Sequence, residues 1–222
     1  MNRTLTVVLA VAVFAAAGCT NKKLIAEKDA QIEDLQGDIT QLQSEVEEQR
    51  RMNEELKTQL SGLEDEKRVW IEEKDNLTTI TLDGAATFPS ASAELSTEGR
   101  DVIDQIWDVV GNYPGRAILV EGHADSRPIS PSYRHVYASN WELSSARAHS
   151  VIHYLIDKHD ADPHRLAAVG YGENNPAADN DSPEGMAQNR RVVITIGSPK
   201  AIQELISLQE LDASSLERAR GQ

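Results

Sequence analysis

A single heptad register runs from residue 25 to residue 77 without a slip, and it constrains this chain more than any other feature. Its a positions carry Ile25, Ile32, Ile39, Val46, Asn53, Leu60, Lys67 and Lys74. Its d positions carry Lys28, Leu35, Leu42, Gln49, Leu56, Leu63, Trp70 and Leu77. Most of these seats are apolar, and glycine interrupts the stretch only at Gly37 and Gly62. Such a sustained 3-4 spacing predicts a coiled coil over 25–77, because apolar residues that recur every 3.5 positions form one seam along a helix. β-branched residues at a with leucine at d favour a parallel dimer, and Asn53 would fix its register. At 1.5 Å per residue the helix would reach roughly 80 Å. A single helix folded back on the following domain is the alternative use of the same seam.

The segment before the heptads reads as targeting rather than fold. Arg3 supplies a positive start, and Leu5 to Ala17 is uncharged and apolar. That run falls short of the roughly 20 residues needed to span a bilayer as a helix. It ends in Ala16-Ala17-Gly18-Cys19-Thr20, small residues followed by the only cysteine. The pattern is similar to a bacterial lipoprotein signal: 1–18 would be removed, and 19–24 would be a lipidated terminus and linker. Acyl chains such as palmitate on Cys19 would anchor the chain, since burial gains roughly 0.8 kcal/mol per CH₂. By the sorting habit of such lipoproteins, Thr20 rather than an aspartate after the cysteine implies the outer membrane. One cysteine also excludes an intrachain disulfide and any cysteine-based zinc site.

From 78 to 198 the periodicity changes. Thr79 to Leu82 alternates as a strand, and Asp83-Gly84 marks a turn. Ser96 or Thr97 can cap a helix whose stripe is Val102, Ile103, Ile106, Val109 and Val110. Ala117 to Val120 reads as a buried strand that runs on through Glu121-Gly122-His123-Ala124 to an acid, Asp125. A helix opened by Asn140 follows a polar loop and carries Leu143, Arg147, Val151 and Leu155. Strands at 165–169 and 191–196 complete the order β-α-β-α-β-β, an α/β (α+β) two-layer sandwich with two helices on one sheet face. The remainder, 199–222, carries a weak helical pattern at Ile202, Leu205 and Ile206.

An acid at a strand end and a base two turns into the next helix can converge on one cleft. Asp125 could accept from an ammonium while Arg147 offers a two-pronged fork to a carboxylate. A purely structural Asp125–Arg147 ion pair is the alternative use of the two charges. Of Arg190 and Arg191, strand alternation puts only one on the ligand side, and the reading leans to Arg190.

The segments VEGHADSRPI, NWELSSARA, RLAAVGYGENNPAADN and NRRVVITI, in that order, resemble the OmpA-like peptidoglycan-binding domain over about 79–197. SNWELSSARA with a long loop before it is most similar to the flagellar stator B-subunit branch. Ala124 stands where the family usually has threonine. The resemblance implies non-catalytic binding of the diaminopimelate residue in a peptidoglycan stem peptide. It assigns that contact to Asp125 and Arg147, with Asn140 and Leu143 in the same helix-opening motif. Asn189, Arg190 and Arg191 would lie near the site. It implies a lipoprotein that tethers the outer membrane, from its periplasmic face, to the cell wall. A periplasmic part in a flagellar-motor or secretion assembly is the alternative.

Other functions fit poorly. The formal charge is −14 and basic residues do not cluster, which argues against nucleic acid. No phosphate-binding glycine loop or nucleophile elbow occurs, so no cofactor and no enzyme are expected. His149 and His153 share a helix face but lack the glutamate of a zinc-protease motif, so no metal is expected either. Asp125 and Glu173 could be imagined as a carboxylate pair for glycoside hydrolysis, but nothing in the sequence fixes their separation.

Overall fold

The computed structural model describes residues 2–208, with side chains from residue 22 onward. The side chains of the apolar run and of Cys19, and all of the tail's end, 209–222, lie outside that description. The chain divides into two units, 1–47 and 48–222. Among the described residues no helix is long and apolar enough to cross a membrane.

Helix α1 (Asn2–Asp65) supplies the whole of the first unit and the opening of the second. Within the first unit the seam is bare: Ile25, Ile32, Leu35, Ile39, Leu42 and Val46 are all exposed, between 47 and 59%. Within the second unit the same seam is buried by the chain's own domain. Met52, Leu56 and Leu60 are fully covered, and they join one core with Val69, Ile80 and Leu82. The polar seats are bonded there too, although Gln49 Oε1 is buried without a partner. Gln49 Nε2 donates to Thr78 Oγ1 at 2.7 Å, and Thr78 Oγ1 bonds Asn53 Oδ1. Asn53, expected to set the register of a dimer, therefore bonds within its own chain.

The helix ends at Asp65, short of the residue 77 that the heptads suggested, and an unexpected strand follows. β1 (Val69–Lys74) pairs antiparallel with β2 (Leu77–Asp83). Asp75 and Asn76, both at positive φ (51° and 60°), make the tight turn between them. That conformation suits a hairpin whose strands keep their right-handed twist. Beyond Leu63 the a seats become Lys67 and Lys74 and only Trp70 and Leu77 at d stay apolar, so the seam thins where the helix ends.

The sheet is completed by β3 (Ala117–Gly122), β4 (Leu166–Gly170) and β5 (Arg191–Gly197), in the order β1-β2-β5-β3-β4. Only β3 and β4 run parallel; the other neighbours are antiparallel. The expected β-α-β-α-β-β order is thus present, with β1 added at its edge. Between the strands lie α2 (Gly84–Thr87), α3 (Thr97–Val110), α4 (Asn140–His159) and α5 (Pro183–Asn189). α3 begins on Ser96, whose side chain accepts from Gly99 N, and it buries Val102, Ile103, Ile106, Val109 and Val110. One short helix, 199–208, covers part of the other sheet face, where Ile202 packs on Ala117 and Leu119. The beginning of the tail is therefore part of the domain, as a partial third layer.

α4 is fixed both at its first turn and along its packed face. Ser139, rather than Asn140, caps it through a reciprocal capping box with Glu142. Its buried face carries Asn140, Leu143, Ser144, Arg147, Ala148, Val151 and Leu155. It lies against β3 so closely that a Cβ on Gly122 would stand 2.1 Å from the Ser144 carbonyl oxygen. Only a residue without a side chain permits that approach.

Candidate ligand-binding cleft

β3 runs past its last paired residue into His123, Ala124 and Asp125, and each step is tied down. His123 N donates to Arg191 O at 3.0 Å, and Ala124 N donates to Gly172 O at 2.8 Å. His123 is buried and stacked on Tyr171 at 5.1 Å between centroids. Burial, helped by the nearby Arg191 charge, pushes its pKa down to about 3. It is a neutral core residue at ordinary pH, not a site group.

Asp125 is almost fully buried, and the loop after it folds around its carboxylate. Oδ1 accepts from Arg127 N at 3.0 Å. Oδ2 accepts from Arg127 Nε at 2.9 Å, Arg127 Nη2 at 2.6 Å and Arg190 Nη1 at 2.7 Å. Burial opposes ionisation of Asp125, but the hydrogen bonds from Arg127 and Arg190 outweigh it and hold the carboxyl below its ordinary value. Asn140, at the mouth of α4, spends its amide on this loop: Nδ2 donates to Asp125 O at 3.1 Å and Arg127 O at 3.0 Å.

Arg147 lines the same cleft and does not pair with Asp125. Its Nε donates to Ser92 O at 2.9 Å and its guanidinium lies 5.2 Å over the Phe88 ring. Among the described residues no carboxylate forms an ion pair with it. Burial lowers the pKa of Arg147 from its ordinary value, with Arg190 adding to the effect and Tyr137 and Asp125 opposing it. An arginine so far above neutrality stays charged, so a buried cation is left facing the cleft.

The cleft enclosed by these groups measures about 550 Å³, within the usual range for small-molecule sites. Leu143 and Phe88 give it an apolar wall, and Tyr133 and Tyr137 a rim. Its charged lining is one carboxylate, Asp125, against three guanidiniums, Arg127, Arg147 and Arg190. Such a lining can receive a zwitterionic group or a ligand with more than one anion. Asp125 is the only carboxylate in it, and Glu173 does not line it, so the carboxylate pair of a glycoside hydrolase is not assembled here. No cluster of metal-ligating side chains occurs among the described residues.

Every residue anticipated for the cleft (Asp125, Asn140, Leu143, Arg147 and Arg190) lines it. Arg191 points elsewhere, with Nη2 donating to Asn175 O at 3.2 Å. Asn189 is fully buried and structural: Oδ1 accepts from Ala177 N and Ala178 N, while Nδ2 donates to Ala178 O and Asn180 Oδ1. Asn180 Oδ1 also takes Ser126 N, which ties α5 to the Asp125 loop. Sequence reasoning missed Arg127, Phe88 and the two tyrosines. Arg127 had one readable signal, a residue two after an aspartate being placed to close an Asx turn.

A mixed sheet backed by helices thus carries an arginine-lined cleft where β3 meets α4, a place where a charged ligand can be held. Residues 87–190 match the model of the OmpA family. A MotB-like protein from Desulfovibrio vulgaris has a similar fold, with a TM-score of 0.64 at 26% identity over 70% of this chain and 94% of that one. The cell wall anchor of the T6SS from Pseudomonas aeruginosa gives 0.58 at 36% identity over 64% and 96%. "Probable lipoprotein YiaD" of Escherichia coli K12 is 36% identical over 55% of this chain and 52% of its own length. The chain spans about half the length of the curated relatives it matches.

Proposed function

We propose that this chain is a non-catalytic anchor that fastens the bacterial envelope to peptidoglycan by gripping the diaminopimelate residue of a stem peptide. The observation that carries this reading is the separation of charges in the cleft. Asp125 and Arg147 are both buried in the lining and form no ion pair with each other, so an amino-acid-like end with an ammonium beside a carboxylate has a partner for each group. The likeness to a solved cell wall anchor supports the same role. In this reading Cys19 carries the lipid, the anchor sits in the outer membrane, and the domain faces the periplasm. The likeness to a MotB-like protein and to a secretion-system anchor also favours a second reading, in which the chain serves a motor or secretion assembly on the cell wall.

Purified sacculi should pull down the full chain without releasing muropeptides. Asp125→Ala and Arg147→Ala should each weaken that binding about tenfold or more, since a charge-assisted hydrogen bond is worth about 1.5–3 kcal/mol. Wild-type retention by both variants would sink the site assignment, and released muropeptides would point to a hydrolase.

The bare seam of the first unit supports pairing with a second copy over 25–46, since a helix does not keep so continuous an apolar stripe in water without a partner. Sedimentation should give a dimer for the full chain and a monomer for the double variant Ile32→Asp, Ile39→Asp. A wild-type monomer would exclude the pairing.

A further inference from the structure

The cleft has a surplus of positive charge, and the arrangement of its donors says which ligand that surplus is for. Asp125 already accepts four N–H groups, three of them from Arg127. Three of the four crowd Oδ2 and only Arg127 N is on Oδ1, so an incoming ammonium that bridges both oxygens must displace a donor from Oδ2. Arg127 is the one placed to leave: its side chain is 61% exposed, against 29% for Arg190. Its backbone N–H can stay on Oδ1 while the guanidinium swings away.

The exchange has a consequence for specificity. A ligand bringing only an ammonium would replace one cation on Asp125 with another and leave Arg127 without an anion. A ligand bringing an ammonium and an adjacent carboxylate would give Asp125 its cation and give Arg127 and Arg147 an anion to share. A carboxamide in place of that carboxylate carries no charge and presents one acceptor oxygen to two forks. The chain as a whole is strongly acidic, with a formal charge of −14, so three guanidiniums around one carboxylate are a local exception that sequence composition conceals.

We propose that the cleft selects stem peptides whose diaminopimelate keeps its distal carboxylate unamidated, and that Arg127 enforces the selection by moving from Asp125 onto that carboxylate. This rests on the peptidoglycan reading and sharpens it, since an ammonium beside either a carboxylate or an amide would satisfy Asp125 alone. Arg127 is a specificity residue here, distinct from the two groups that hold the ligand's ends.

Calorimetry on the full chain tests it with three synthetic tripeptides, L-Ala–D-isoglutamate followed by meso-diaminopimelate, by meso-diaminopimelate amidated on its distal carboxyl, or by L-lysine. Amidation and lysine should each weaken binding about tenfold or more. Arg127→Ala should shrink both gaps by about threefold or more while Arg147 keeps the rest, and Arg127→Lys should fall between, because an ammonium keeps the charge but loses the fork. Equal affinities for the three peptides in the wild-type chain, or an undiminished gap in Arg127→Ala, overturn the selection. If the first two peptides bind equally and Asp125→Ala loses both, the anchor reading stands and this inference falls. Binding of none of the three removes the anchor reading and this inference with it.

Discussion

Leu60→Asp is expected to abolish the cooperative unfolding transition of the domain, whereas Leu35→Asp, the same exchange in the same helical seam, leaves that transition in place. Leu60 is fully buried among Leu56, Val69 and Ile80, so the exchange removes a core side chain at about 2–5 kcal/mol. It also buries a carboxylate with no partner, which adds several kcal/mol more. Together these approach the roughly 5–15 kcal/mol that holds an ordinary domain together. Leu35 is 59% exposed in the first unit, and its exchange touches no side chain of the core. Near-UV circular dichroism, which reports packed aromatics such as Trp107, separates the two without interference from the long helix. A Leu60→Asp chain that melts like the wild type would mean that 48–65 is only a stalk.

The second large effect is expected at Gly122. Valine there would bring its first side-chain carbon to 2.1 Å from the Ser144 carbonyl, a backbone atom that cannot turn aside. α4 would have to lift off β3, opening the core around Ala148 and Val151 and carrying Asn140 and Arg147 away from Asp125. A loss of several kcal/mol is expected, together with loss of sacculus binding by whatever fraction still folds. Gly115→Ala is the matched control, because nothing lies within 4 Å of the added carbon, and it should change stability by no more than about 0.5 kcal/mol. Equal melting of Gly122→Val and wild type would show that α4 does not rest on the strand at this point.

Much of the domain was legible in the residues alone. The stripe from Val102 to Val110 and the alternation through Ile80 and Leu82 named their buried faces, because side-chain period follows directly from backbone geometry. The positions of Asp125, Asn140, Leu143, Arg147 and Arg190 around one cleft were also within reach, since a strand end, the helix that follows it and a neighbouring strand meet at one edge. β1 was not legible, because Trp70 and Leu77 still fall on heptad seats and make 69–77 read as a continuation of the helix. Arg127 was missed for another reason. On an exposed loop it looks like any solvated charge until the fold closes its fork on Asp125.

The heptad seam shows where the division falls. By itself the sequence determined that a helix with one continuous apolar face runs from residue 25, though it carried that helix to 77 where the fold ends it at Asp65. It determined as well that a strand ends in an acid beside a helix bearing an arginine. Only the tertiary structure decided that this face is covered by the chain's own sheet from Gln49 to Leu63 and left bare from Ile25 to Val46. It also decided that Asp125 is held by Arg127 and Arg190 while Arg147 stands apart. The physical reason is the same in both cases. Periodicity is local and specifies which side of an element must be covered, whereas the identity of what covers it, or which charges meet, depends on residues as far apart as Asp125 and Arg190.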